Sequence, residues 1–143
     1  MQRQLSRFER QLCDIQGRLF VRSSMKGLDS TDFIGKFMHS QTCAYMDLPY
    51  DRLQWAGEEY ILDDLLHETA VLPAGERYVA ETLYWIGYVY RYWHLVTGEG
   101  GLAIYAQADA GRMKDCYLGF HVLDVAMAIE DLKEIHAQET SRA

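Results

Sequence analysis

The chain has 143 residues, of which 49% are hydrophobic and 13% are aromatic, and its net charge is −7. This composition excludes a disordered chain and predicts one globular domain, residues 1–143, that buries about two-thirds of the surface its unfolded form exposes. The three cysteines, Cys13, Cys43 and Cys116, form no Cys-x-x-Cys pair, which disfavours a disulfide framework or a zinc knuckle. The N-terminal residues lack the apolar stretch of a signal peptide or membrane span. We therefore expect a reduced, cytoplasmic protein that does not contact a membrane.

The N-terminal segment and the rest of the chain carry opposite charges. Residues 1–26 hold six basic and two acidic residues, a net charge of +4, and the remaining eight basic and 19 acidic residues give −11. An acidic body repels phosphate backbones. Nucleic-acid binding is therefore expected only through residues 1–26.

The first predicted element is a basic amphipathic helix over residues 1–22. Apolar residues recur there at spacings of three and four and form one stripe: Leu5, Phe8, Leu12, Ile15 and Leu19. This stripe must be buried, and the charge of the helix favours docking on the acidic third helix. The same spacing suits a short coiled-coil seam, so a homodimer through this helix remains an alternative.

Two helices are predicted before the loop at Pro73. The second helix begins at Asp29 or Ser30, either of which can act as an N-cap, and it ends near Met46. The third helix begins at Pro49 and runs to about residue 68. One of its faces is apolar and the other is acidic.

The fourth predicted helix covers about residues 77–97 and is rich in aromatic residues. Between positions 83 and 96 its only strongly polar residues are Arg91 and His94. A helix that is apolar around most of its circumference belongs in the centre of a domain. Two short helices, residues 102–108 and 109–117, and a last helix capped by Asp124 follow. The sequence thus predicts an all-α, single-domain bundle of about five to seven helices around this central helix.

Three parts of the sequence resemble a known group of proteins. They are Leu53-Gln54-Trp55-Ala56-Gly57-Glu58-Glu59-Tyr60, then Tyr90-Arg91-Tyr92-Trp93-His94 with Thr97-Gly98-Glu99, then Gly119-Phe120-His121 with Asp124. Over residues 30–136 the chain resembles small, uncharacterised bacterial all-helical proteins. Members of that group are neighbours of ADP-ribosyltransferase-like proteins in gene clusters that look like toxin–antitoxin pairs. Most relatives have a serine where this chain has Gly100-Gly101. The resemblance implies a type of protein partner and carries over no catalytic residue.

Arg91 and His94 are the candidate catalytic residues. They lie three residues apart on one helix face, where Glu58 or Glu59 could reach them from the third helix. A carboxylate beside an imidazole can support acid–base chemistry. A buried arginine, however, usually needs an ion-pair partner for structural reasons, and we favour that interpretation.

No metal or cofactor is predicted. Asp64 and His67 imitate half of a di-iron motif, but the sequence has no second copy. Nor does it contain a phosphate-binding glycine loop or a serine elbow.

The aromatic residues of the central helix predict a core together with a protein-binding surface. We assign binding to Tyr90, Tyr92 and Trp93, and to His121 because it lies in a predicted turn. The leading hypothesis is a non-enzymatic interaction module, and the resemblance makes it an antitoxin-like partner of a small bacterial toxin. The alternatives are an enzyme that uses the Arg91 cluster and a nucleic-acid-binding protein that uses the first helix.

The first helix provides a stability test. Leu12→Asp should destabilise the fold or dissociate a dimer, because burial of each leucine contributes roughly 1.5–3 kcal/mol. Arg7→Ala should change stability little, because an exposed charge pair contributes up to about 1 kcal/mol. Urea unfolding and light scattering of both variants measure the difference. Equal effects of the two substitutions would show that the stripe is not buried.

Overall fold

The computed structural model describes residues 3–142 and confirms the all-α prediction. Within these residues it has eight α-helices and a short 3₁₀ turn. Its only β-type pairing there is a bridge between Leu28 and Pro73. The helices are α1 (Arg7–Met25), α2 (Ser30–Met38), α3 (Gln41–Met46), α4 (Glu58–Glu68), α5 (Ala80–Thr97), α6 (Gly101–Gln107), α7 (Ala110–Phe120) and α8 (Val125–Arg142).

The described residues form eight α-helices, one more than the predicted upper limit of seven. The difference arises because the second predicted helix is divided into α2 and α3. Asp29 is the N-cap of α2, as predicted, but α2 ends at Met38. The Ser40 hydroxyl accepts a hydrogen bond from the Cys43 backbone N–H at 3.0 Å and so begins α3. A serine at an N-cap competes with helix continuation because its side chain satisfies a free backbone donor.

The third predicted helix begins nine residues later than Pro49. The 3₁₀ turn Arg52–Trp55 and Gly57 precede α4. Gly57 has φ +83°, a left-handed conformation that interrupts helical geometry. The stretch between α3 and α4 is therefore an irregular connection, and its residues form one wall of the cleft beside His94.

The predicted central helix is α5, which contacts α1, α6, α7 and α8. Its closest neighbour is α1. A Cβ atom added at Gly87 would lie 2.5 Å from the Gln16 carbonyl oxygen, and one added at Gly17 would lie 2.7 Å from the Tyr84 ring. Glycine at both positions lets the two backbones approach at a distance that no other residue permits.

Helix α1 begins at a capping box formed by Ser6 and Glu9. Its predicted stripe is buried within this one chain at Leu12 and Leu19, which are 2% and 0% exposed. The stripe considered for a dimer seam is thus occupied by intrachain packing. Residues 1 and 2 of the predicted helix lie outside the described residues.

The expected docking of α1 on the acidic helix is confirmed by three ion pairs. They are Arg18–Glu58 at 3.3 Å, Arg22–Glu59 at 2.9 Å and Lys26–Asp63 at 3.8 Å. Each pair is exposed on at least one side and contributes at most about 1 kcal/mol, so packing of the stripe dominates. Among residues 3–142, no helix combines the length and apolar character needed to cross a membrane.

The glycine contact between α1 and α5 predicts a strong effect of one methyl group. Gly87→Ala should destabilise the fold by about 1–3 kcal/mol or more, because the new Cβ meets backbone atoms that cannot rotate away. Gly119→Ala is the matched control, since Gly119 is helical and a Cβ there meets nothing within 4 Å. The control should gain up to about 1 kcal/mol from helix propensity. Urea unfolding midpoints measure both, and equal stabilities would contradict the close approach.

Candidate functional site

Arg91 is buried in the middle of the bundle, with 2% of its surface exposed. Its guanidinium donates through Nε to Gln16 Oε1 at 2.9 Å, through Nη1 to Asp47 Oδ1, and through Nη2 toward Cys43 Sγ at 3.7 Å. Gln16 is itself held, because its Nε2 donates to the Gly87 carbonyl at 2.9 Å. These contacts connect α5 to α1, to α3 and to the connection that follows α3.

The carboxylate partner of Arg91 differs from the one predicted. Glu58 and Glu59 do not reach it, because α4 directs them toward α1, where they pair with Arg18 and Arg22. Asp47 takes that role from the connection between α3 and the 3₁₀ turn. No helical periodicity marks a residue in such a connection, so sequence reasoning missed it. The favoured interpretation of Arg91, a structural ion pair, agrees with this geometry.

The neighbouring thiols are unsuited to nucleophilic chemistry. Burial raises the pKa of Cys43 to about 11, although Arg91 beside it acts to lower that pKa. Burial likewise raises the pKa of Cys13 to about 12. The reactive form of a cysteine is its thiolate, which both residues disfavour at neutral pH.

His94 lies one turn after Arg91 at the edge of a cleft of about 450 Å³. Its Nδ1 is 2.7 Å from the Glu99 carbonyl oxygen and 3.7 Å from Asp47 Oδ1. A carbonyl oxygen can only accept, so Nδ1 carries the hydrogen and Nε2 of the neutral ring is an acceptor. Arg91, Asp47 and His94 therefore do meet, but the buried Arg91 is closed to any substrate.

Glu99 holds the end of α5 against α6 and α8. Its carboxylate accepts hydrogen bonds from Trp93 Nε1 at 3.0 Å, Gln107 Nε2 at 2.5 Å and Lys133 Nζ at 2.5 Å. Partial burial acts to raise the pKa of Glu99, but these donors outweigh burial and lower the pKa to about 2. Because the Glu99 carbonyl also accepts from His94, this network positions the imidazole.

A second surface, here called the aromatic groove, lies along the first half of α5, where residues of α1, α7 and the start of α8 also line it. Tyr84, Tyr88 and Tyr92 form a ladder along α5, with ring centroids 5.9 and 6.4 Å apart. Tyr117 of α7 stacks on His121, with centroids 4.3 Å apart and planes at 13°. The groove has a volume of about 600 Å³ and is lined by Val21, Ala80, Glu81, Tyr84, Trp85, Tyr88, Tyr117, His121 and Val125.

Two of the four predicted binding residues, Tyr90 and Trp93, are buried and so do not form a binding surface. Tyr90 and Trp93 are 1% and 0% exposed, and the Tyr90 hydroxyl donates to the Ala108 carbonyl at 2.6 Å. They face the core because they lie on the same side of α5 as its apolar core residues. Tyr92 is half-buried at the end of the ladder, and His121 is exposed in the groove.

The missed groove residues had a signal in the sequence. Tyr84, Tyr88 and Tyr92 are spaced four apart, which places them on one face of a helix. Position 90 is rotated by about half a turn from positions 88 and 92 and belongs to the opposite face. A helical-wheel separation of the tyrosines would therefore have distinguished the core members from the surface members.

The basic first helix presents less free charge than its sequence suggests. Arg18, Arg22 and Lys26 pair with carboxylates of α4, and Arg3 pairs with Glu9 at 2.5 Å. These internal pairs reduce the positive potential on which phosphate binding depends.

The residues weighed as half of a metal motif have other partners. Asp64 Oδ2 accepts from the Thr42 hydroxyl at 3.0 Å, and His67 Nδ1 lies 2.7 Å from the Asp63 carbonyl oxygen. In the described range 3–142, no three side chains of His, Cys, Asp or Glu are grouped as metal ligands would be.

Comparison with known proteins gives no match: no family model, no curated protein and no solved structure is detectably similar to this chain. The resemblance to bacterial toxin–antitoxin neighbours therefore stays a prediction. The two candidate sites have to be interpreted from their own geometry.

The Glu99 network predicts a loss of stability in acid. A carboxylate whose pKa falls from 4.5 to about 2 on folding stabilises the protein above about pH 4.5, and that stabilisation is lost as the pH falls toward 2. Glu99→Gln should lower stability at neutral pH and flatten the pH dependence across this acidic window. Glu81→Gln, at an exposed carboxylate, is the control. Thermal unfolding between pH 2 and pH 7 tests this, and a Glu99→Gln profile parallel to wild type contradicts it.

Proposed function

We propose that the protein is a non-enzymatic interaction module that binds a basic protein partner through the aromatic groove. The observation that carries the proposal is the exposed apolar surface beside the groove. Leu118 and Val122, which follow Tyr117 and His121 in the chain, are 80% and 74% exposed. Scattered apolar residues are common on soluble proteins, but an aromatic groove with adjacent apolar side chains has the composition of an interface centre.

The tyrosine ladder supplies suitable anchors for a partner. Tyr84, Tyr88 and Tyr92 are held in order by their mutual contacts, so little side-chain freedom remains to be lost on binding. Tyrosine and tryptophan provide large amphipathic contact areas and dominate the energetics of many interfaces. A partner that covered the ladder would bury the exposed parts of the three rings.

The electrostatics of the chain favour a basic partner. Glu81 lines the groove and Asp124 lies near Tyr92, and neither makes an ion pair with another residue of the described chain. Arg10, which lies near Tyr88, offsets part of this charge. The net charge of −7 steers a positively charged protein toward the molecule and improves selectivity more than affinity.

The sequence resemblance extends the proposal to the kind of partner. On this proposal the partner is a small ADP-ribosyltransferase-like protein, and the present chain acts as its antitoxin in the bacterial cytoplasm. The contacts of Arg91 and the protonated thiols support a binding role over a catalytic one, because the groups most able to do chemistry are engaged in packing.

A purification experiment with matched variants tests the interface. The double variant Leu118→Lys/Val122→Lys adds positive charge to the groove margin and so repels a basic partner, and folding should be unaffected because both side chains are exposed. Leu72→Lys/Leu102→Lys is the matched control, at leucines that are 59% and 63% exposed and line no part of the groove. Tagged proteins are used to purify complexes from native lysate at physiological salt.

The expected result is a stoichiometric basic partner that copurifies with wild type and with the control but is lost with the groove variant. Recovery of the chain alone, or equal recovery of the partner with both variants, overturns the proposal. Sequencing of the neighbouring genes and coexpression with an ADP-ribosyltransferase-like protein encoded there tests the partner's identity. The absence of such a gene, or a groove-dependent partner of another class, would reject only the antitoxin role.

A further inference from the structure

The cleft beside His94 is a second site, separate from the aromatic groove, and the two have no lining residue in common. It lies between the start of α1, the connection from α3 to α4, and the end of α5. Its volume of about 450 Å³ is in the range of small-molecule sites. Its apolar lining consists of Phe8, Leu12, Pro49, Tyr50, Trp55 and Leu95.

The polar atoms that remain free in this cleft are acceptors. Gln54 donates through Nε2 to the Met46 carbonyl at 2.9 Å, which leaves its Oε1 without a partner in residues 3–142. Asp47 accepts from Arg91 through Oδ1, and its Oδ2 is likewise free. In the neutral ring of His94, Nε2 is the third acceptor, because Nδ1 then donates its hydrogen to the Glu99 carbonyl oxygen.

These three acceptors are reached by solvent. The described part of the chain contains no buried side-chain nitrogen or oxygen without a hydrogen-bond partner. Since Gln54, Asp47 and His94 all line the cleft, their unsatisfied atoms are available to a bound molecule there. A ligand that matches them must bring hydrogen-bond donors.

The aromatic side chains of the cleft provide a flat apolar surface. Trp55 is 67% exposed, and one face of its indole packs on Phe8, with centroids 4.6 Å apart and planes at 31°. Tyr50 is 90% exposed and has φ +68°, a left-handed conformation that a large side chain rarely adopts. The exposed ring surface of Trp55 can stack on a planar molecule.

The charges of the cleft balance one another. Arg3 at its rim pairs with Glu9, and Asp47 pairs with the buried Arg91 behind it. A site without net charge gives no electrostatic preference for an ionic ligand. The match is therefore with a neutral molecule.

We propose that this cleft binds a neutral, planar heterocycle that carries N–H donors, the chemistry represented by an aminopurine base. The ring stacks on Trp55, and its N–H groups donate to Asp47 Oδ2, Gln54 Oε1 and His94 Nε2. Attached phosphates weaken binding, because the chain as a whole carries a charge of −7. The site is independent of the protein partner proposed for the aromatic groove.

An NMR titration of the full chain with adenine tests the proposal, followed through the indole N–H signal of Trp55. The chain has three tryptophans, and the signal is assigned by its loss in Trp55→Ala. A ligand of this size should bind with a dissociation constant of about 0.1–1 mM. In Trp55→Ala this indole signal is absent, so binding is measured through the NMR signals of adenine itself. The affinity should fall about 5- to 100-fold, because that is the usual effect of removing a stacking aromatic side chain.

Two controls separate the parts of the proposal. Tyr45→Ala removes an aromatic ring that is 46% exposed and lines no part of this cleft, so adenine affinity should not change. A purine with a 6-dimethylamino and a 9-methyl group keeps the planar ring but has no N–H donor, and it should bind at least about tenfold more weakly than adenine. Equal binding of the two purines would overturn the role of the acceptors.

The source of the base is distinguished by two further ligands. Adenosine keeps both N6–H donors but lacks the N9–H, so it should bind at most about tenfold more weakly than adenine, whereas single-stranded hexa-deoxyadenylate should not bind at physiological salt. Preferred binding of the oligonucleotide would reject a free-base site in favour of a nucleic-acid one. No saturable adenine shift at Trp55 up to 10 mM, or unchanged affinity in Trp55→Ala, overturns the proposal altogether.

Discussion

The burial of one guanidinium organises this protein. Arg91 lies inside a helical core, where an unpaired charge costs several kcal/mol, and so its surroundings must supply a complete set of acceptors. Gln16, Cys43 and Asp47 come from three different parts of the chain to do so. The crossing of α1 over α5 and the path of the chain after α3 are both constrained by this requirement.

The two candidate sites lie at different positions along the same helix. Toward α1 and the α3–α4 connection, α5 contributes Arg91 and His94, and the anchoring of Asp47 shapes a polar cleft with aromatic walls. Along the first half of α5, Tyr84 and Tyr88 form an apolar groove together with the turn that carries His121. The cleft therefore offers hydrogen-bond acceptors, which suit a small ligand, and the groove offers apolar contact area, which suits a protein.

Much of the fold could be predicted because it depends on periodicity and local capping. The apolar stripe of α1, the Asp29 cap and the aromatic surplus of α5 each indicated the correct element or burial. The sites were harder, since they depend on residues in irregular backbone. Asp47 directly follows α3, a helix of six residues that propensity alone does not define, and Trp55 belongs to a 3₁₀ turn. The number of acidic residues in α4 drew attention to Glu58 and Glu59, whereas their direction depends on how α1 packs.

The contact between α1 and α5 also determines the order in which the chain can fold. Gln16 and Arg91 are 75 residues apart in sequence, so the face of α1 that packs on α5 is covered only after α5 has been synthesised. Closing so long a loop is entropically costly, and contacts of high sequence separation slow folding. During synthesis the apolar stripe of α1 stays exposed until α5 has emerged from the ribosome. Fragments that end before α5 should consequently depend on chaperones to remain soluble, because the surface that closes their core has not yet been made.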